Sequence, residues 1–177
     1  MRVALIADTH VPTSLASLPI DLLARIAGVD AILHAGDLVH RDVIDALSRI
    51  APTTAVSGNM DPPEVARSLP DRTTLQLGGR LVGLKHGHQR HALQNRYIGL
   101  SYEAPEMELF YQAMATQLPN AEIIVFGHFH APVIRHWNDR LFINPGAVAP
   151  PHSRPTFALL DIGATIDAQI VELSPPI

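Results

Sequence analysis

The chain has no cysteine, which excludes disulfides and thiolate metal sites and leaves histidine, carboxylate and amide groups as the donors for any bound ion. It has one lysine, Lys85, so nearly all of its 13 Lys+Arg cations are arginines, and 17 Asp+Glu outnumber them for a net charge of -4. That balance gives no global electrostatic reason to bind a nucleic-acid backbone, so a nucleic-acid-binding module is disfavoured. No stretch approaches the roughly 18 consecutive apolar residues of a membrane span, and the N-terminus lacks a basic region followed by an apolar run and a cleavage site. The expectation is a cytoplasmic protein. Internal repeats, low-complexity tracts and credible linkers are also missing. The 177 residues, 47% of them hydrophobic, are therefore expected to form a single domain, 1–177, with a substantial core.

What the chain does have is ten histidines. The run Ile123-Ile124-Val125-Phe126 reads as a buried strand and ends at Gly127-His128-Phe129-His130, where residues two apart project the same way. His128 and His130 are then either a metal-binding pair or solvated loop histidines. Similar endings recur upstream. Arg2 to Ala7 reads as a central strand stopping at Asp8-Thr9-His10, Ala31 to Ala35 as a second stopping at Gly36-Asp37, and Thr53 to Val56 as a third stopping at Gly58-Asn59-Met60-Asp61. Helices are expected from Pro19 to Ala27 and from Arg41 to Ile50, so the segment reads as βα units with right-handed crossovers. Sheets of that kind place ligands beyond the carboxyl ends of their strands. A hairpin about Gly78-Gly79 delivers Lys85-His86-Gly87-His88. A helix from Glu106 to Leu118 and hairpins about Asn138-Asp139 and Gly163 complete the pattern, with a mixed α/β fold as the result. The segment Gln89 to Pro105 has no clean period. It reads as a surface excursion, with a lid, a substrate wall or an oligomer contact left open.

In order and context, Asp8-x-His10, Gly36-Asp37, Gly58-Asn59-x-Asp61, His86 and Gly127-His128-x-His130 resemble the five blocks of the calcineurin-like metallophosphoesterase superfamily. The His34-Ala35-Gly36-Asp37 wording, His86-Gly87-His88 and the Asn144-Pro145-Gly146 loop are similar to its compact bacterial and archaeal YfcE-type phosphodiesterases. The resemblance implies a two-sheet β-sandwich flanked by helices, with a dimetal site at the strand ends. It implies one metal held by Asp8, His10, Asp37 and His130 and a second by Asp37, Asn59, His86 and His128, with Asp37 as the bridge. Two ions about 3.5–4 Å apart can hold a hydroxide between them and grip phosphate oxygens during in-line displacement. The implied reaction is phosphodiester hydrolysis on a small phosphate ester. Nitrogen and oxygen donors without sulfur suit manganese, iron, cobalt, nickel or zinc, and the resemblance implies manganese or nickel as activators.

The wider superfamily often has a histidine directly after the asparagine of the third block, where it can protonate the leaving group; this chain has Met60. His88 is the candidate substitute acid, with a role in orienting a ligand histidine or starting a helix as the alternative. Asn59 is also expected to meet substrate, and Asp61 to support the Asn59 turn or a ligand, or else to cap a helix. His34 reads as a core histidine, and His40, His91, His136 and His152 as surface. Arg90, Arg96 and Arg154 are conceivable phosphate forks. The competing functional class is a protein-binding scaffold of the same fold. Against it, all seven presumed ligands are intact.

Overall fold

The computed structural model describes residues 1–89 and 96–174. Two five-stranded sheets lie face to face, with helices against their outer surfaces. The first sheet contains β1 (Arg2–Ile6), β2 (Ala31–His34), β3 (Thr53–Ala55), β9 (Thr156–Ile162) and β10 (Ile166–Glu172), in the order β10-β9-β1-β2-β3. The second contains β4 (Arg72–Leu77), β5 (Arg80–Lys85), β6 (Ile123–Val125), β7 (Val133–Trp137) and β8 (Arg140–Asn144), in the order β4-β5-β6-β8-β7. The helices are α1 (Ile20–Arg25), α2 (Asp42–Ser48), α3 (Pro63–Ala66) and α4 (Met107–Gln117).

The continuous apolar runs of the central strands follow from burial on both faces. In β1, Val3 and Leu5 point into the core between the sheets, whereas Ala4 and Ile6 point out against α1 and α2. In β6, Ile123 and Val125 join the same inner core and Ile124 packs on the α4 side, with Phe110, Tyr111 and Phe142. Alternation of two buried faces thus gives four layers from strands that show no polar side.

Each sheet is built about three parallel strands. In the first these are β1, β2 and β3, as the βα reading expects. In the second, β5, β6 and β8 are also mutually parallel, and only β4 and β7 run the other way. The sequence signals of hairpins at β4–β5 and β7–β8 conceal this second parallel set, because a strand's neighbour in space is not its neighbour in sequence. The consequence is geometric: β1, β2, β3, β5, β6 and β8 all present their carboxyl ends at one edge of the sandwich. No helix among the described residues is long and apolar enough to cross a membrane. The positions Arg90 and His91 lie outside the described residues.

Candidate metal centre

At that edge, six strand ends meet. The loop after β1 carries Asp8 and His10, that after β2 carries Asp37, and that after β3 carries Asn59. His86 follows β5 directly, and His128 and His130 follow β6. Asp8, His10, Asp37 and His86 are all buried. Ligating atoms of Asp8, His10 and His130 lie within 4.8 Å of one another, as do those of Asp8, Asp37 and His86. Asp8 is the carboxylate common to both groups, where the sequence resemblance implies Asp37. Its Oδ1 lies 3.2 Å from His130 Nε2, 3.9 Å from His10 Nε2 and 4.0 Å from His86 Nε2. His86 Nε2 is also 3.2 Å from Asp37 Oδ2 and 3.1 Å from Asn59 Oδ1. The His10 and His130 rings are neighbours at 5.6 Å, and those of His86 and His128 at 5.2 Å.

The donor atoms are left open toward the middle of this cluster. Asp8 Oδ1, His10 Nε2 and His128 Nε2 are buried and lack hydrogen-bond partners among the described residues. Orphaned buried polar atoms are costly and rare in folded proteins, and this group has the chemistry of a divalent-ion site: carboxylate oxygen and imidazole nitrogen, converging, with no sulfur. The remaining atoms of the same side chains are tied down. His86 Nδ1 donates to Ala35 O at 2.7 Å, which turns Nε2 inward, and Asp8 Oδ2 accepts the His128 N–H at 3.1 Å. Carbonyl-oriented imidazoles of this kind are the usual support of metal ligands.

The backbone is shaped to the same end. Asp8, His10, Asp37, His128 and His130 all have positive φ, between 46° and 71°, a conformation that non-glycine residues rarely adopt. A Cβ on Gly127 would lie 2.7 Å from Asp8 Oδ2, and one on Gly58 would overlap Asp37 Oδ1. Both positions need glycine for close approach.

Electrostatics follow from burial and crowding. Burial disfavours charge on His86, but its hydrogen bond to Asp37 and the charges of Asp8 and Asp37 prevail and raise it to about 9. Burial likewise opposes ionisation of Asp37, yet the His86 contacts and the Met60 N–H, 2.7 Å from Oδ1, pull it down to about 2. Burial and the neighbouring His86 charge push His128 down to about 4. The carboxylates of Asp37 and Asp8 thus favour the charged form of His86.

Asp61 ties the loops together: its carboxylate accepts N–H groups of Gly58 at 2.7 Å, Val39 at 2.7 Å and Asp37 at 3.2 Å. His88 is half-buried beside His86 and His128, with ring centroids 5.5 and 6.3 Å away; burial, then the charges of His86 and Lys85, lower its pKa. His34 is a core histidine. Its Nδ1 accepts the Gly36 N–H at 3.2 Å, which places its proton on Nε2, 3.1 Å from Thr9 Oγ1. His40, His136 and His152 are exposed. The Arg96 guanidinium sits 5.8 Å from the Tyr97 ring centre, and Arg154 pairs with Glu172 at 2.7 Å. In the sequence, Asn144 is marked by the resemblance of the Asn144-Pro145-Gly146 loop to the compact phosphodiesterases, which assigns its side chain no role. In the fold its Nδ2 donates to Gly127 O at 2.9 Å and to Tyr102 Oη at 3.1 Å, while its Oδ1 accepts the Gly146 N–H at 2.9 Å. Its place at the end of an apolar strand, like Asp8 and His86, is a second signal that marks it.

Comparison with known proteins agrees with this arrangement. A model described as the calcineurin-like phosphoesterase superfamily domain matches residues 1–165. A probable metallophosphoesterase of Methanothermobacter thermautotrophicus is 30% identical over 182 residues, covering 100% of this chain and 95% of that protein. Among solved structures, wild-type Vps29 of Entamoeba histolytica complexed with Zn superposes with a TM-score of 0.70 at 24% identity, covering 97% of this chain and 99% of the other. A structure described as a novel archaeal phosphodiesterase gives 0.70 at 20% identity, with 98% and 100% covered. These two likenesses concern the fold. With the match along nearly all of its sequence, they leave one conclusion about ancestry: the chain belongs to the calcineurin-like phosphoesterase superfamily.

Proposed function

We propose that the protein is a metal-dependent phosphodiesterase that binds two divalent transition-metal ions between its strand ends and hydrolyses small phosphate diesters. The observation that carries this reading is the inward-facing set of buried donor atoms without partners, Asp8 Oδ1, His10 Nε2 and His128 Nε2, around the Asp8, Asp37 and His86 group. The ring neighbours divide the imidazoles, with His10 and His130 serving one ion beside Asp8, and His86 and His128 the other beside Asp37 and Asn59. When bound, such ions supply Lewis acidity toward phosphate oxygens and lower the pKa of coordinated water.

The protein's own groups do the rest. Asp61 holds Asp37 and the Gly58 turn in place. Exposed Asn59 offers its amide to the substrate as well as to the ion. Only two carboxylates face the ions, so the site keeps a positive excess that favours an anionic diester and the charge of its transition state. Met60 cannot give a proton, and His88 is the general acid, within reach of a leaving group on the His86 and His128 side.

Protein stripped of metal is expected to be inactive on bis-p-nitrophenyl phosphate and to regain activity with manganese or nickel, with zinc, cobalt and iron tested alongside. The second reading, a catalytically weak protein-binding scaffold, draws on the fold's likeness to Vps29. Inactivity across all five metals and a panel of diesters, together with tight binding to a partner protein, would replace the first reading with the second.

A further inference from the structure

The two sides of the centre differ in chemistry. Among the described residues, the side of His86 and His128 holds His88, Lys85 Nζ paired to Asp71 at 2.7 Å and the Phe129 ring 5.3 Å from that of His128. Beside His10 and His130 lies a trough of about 700 Å³, within the range of about 300–1,000 Å³ found for small-molecule sites. Its walls come from three loops: Leu15 after β1, Met60 after β3, and Val148, Pro150 and Pro151 after β8. The prolines have no N–H to strip of water, so they offer a preformed apolar face. Met60 is 60% exposed, and its flexible thioether can settle on a flat group. Arg154, the trough's arginine, stands at its exposed rim and pairs through Nη1 with Glu172 at 2.7 Å, so its charge is offset in part at the edge while the walls themselves are apolar.

We propose that this trough is the subsite for the retained substituent of a phosphodiester, and that it selects an uncharged, planar, apolar group, of which an aryl ring is the simplest. The inference rests on the phosphodiesterase reading above. The phosphate spans the strand ends, the leaving group departs on the side of His88, and the other ester arm lies past His10 and His130 in the trough. Met60, which stands where many members of the wider superfamily have a histidine, then has a positive role as a wall of the subsite.

The test uses two diesters with one leaving group, phenyl p-nitrophenyl phosphate and methyl p-nitrophenyl phosphate, and manganese-supplied protein. After division by the ratio for alkaline hydrolysis in solution, kcat/KM is expected to favour the phenyl ester by about tenfold or more, the range that apolar pockets give for small hydrophobic differences. Met60→Ser and Leu15→Ser should each lower that preference at least about threefold. Met60 is exposed enough for the first variant to fold. A preference near one, or one that neither variant lowers, overturns the subsite. Titration calorimetry with diphenyl and dimethyl phosphate separates the two readings. If neither nitrophenyl ester is hydrolysed but diphenyl phosphate binds more tightly and Met60→Ser weakens it, the subsite stands and the hydrolytic reading falls. Hydrolysis of both esters without preference leaves hydrolysis and removes the subsite, and neither binding nor hydrolysis overturns both.

Discussion

On the proposed reading, His88 takes over the proton delivery that a histidine at the position of Met60 often performs in the wider superfamily. Met60 donates only its backbone N–H, to Asp37, and turns its side chain away to solvent and the trough. His88 is half-buried, with an Nδ1 that lacks a partner among the described residues. If it delivers the proton, its removal matters only when the leaving group needs one. His88→Ala is therefore expected to slow hydrolysis of diesters with poor alkyl leaving groups by about 10²-fold or more, the lower range for general acids, and to affect p-nitrophenyl esters much less. Rates measured over a series of leaving groups check this, and equal losses on all of them would remove His88 from the role. The candidate ligands were legible in the sequence because Asp8, Asp37, His86 and His128 each follow an apolar run with a charged or imidazole group, and Asn59 follows one with an amide. Their backbone shape was not: positive φ at Asp8, His10, Asp37, His128 and His130 is imposed by contacts between loops far apart in sequence.

The loops after β2 and β3 behave as one element because Asp61 accepts three backbone N–H groups across them. Its removal orphans buried donors that each cost about 1–3 kcal/mol. Asp61→Ala is expected to destabilise the protein by roughly 3 kcal/mol or more and to weaken metal binding at least about tenfold, as loss of a ligand's support does elsewhere. Denaturant unfolding and metal titration measure the two effects; Asp61→Asn, which keeps an acceptor oxygen, should recover part of both. From sequence, Asp61 was open between this role and a helix cap, since both fit an aspartate before two prolines. Element types were read correctly from hydrophobic runs and turn residues, while the helices proved shorter at their ends. The parallel pairing of β5, β6 and β8 was hidden, because it depends on which strands meet after the intervening helix has packed.

For the whole molecule, His34 and His86 set opposite limits in the absence of metal. His34 is held neutral by burial, its pKa lowered to about 4, so an unfolded chain takes up a proton from about pH 6.5 downward that the fold refuses. Stability is lost as the pH falls from about 6.5 to 4, by roughly 3 kcal/mol. His86 is raised to about 9; its contribution is fully present below about pH 6.5 and is lost as the pH rises through about 9, by a similar amount. Unfolding of metal-free protein should then show greatest stability near pH 6.5, and His34→Asn, which keeps an acceptor for the Gly36 N–H, should reduce the acid limb but not abolish it, because His128 is also lowered to about 4. A monotonic dependence from pH 4.5 to 9 would contradict this pairing.

The carboxylates and the amide of the centre come from one sheet and His86, His128 and His130 from the other. Only His10 crosses that division of donors. The centre is thus a rivet through a seam, joined even without metal by His86 to Ala35 and by His128 to Asp8. Sliding one sheet over the other by a single residue, about 3.3 Å, would part acid from base and dismantle the site. The alignment of the two layers is therefore part of the site itself, and a change that shears them would take the donors apart while leaving each sheet's own pairing intact.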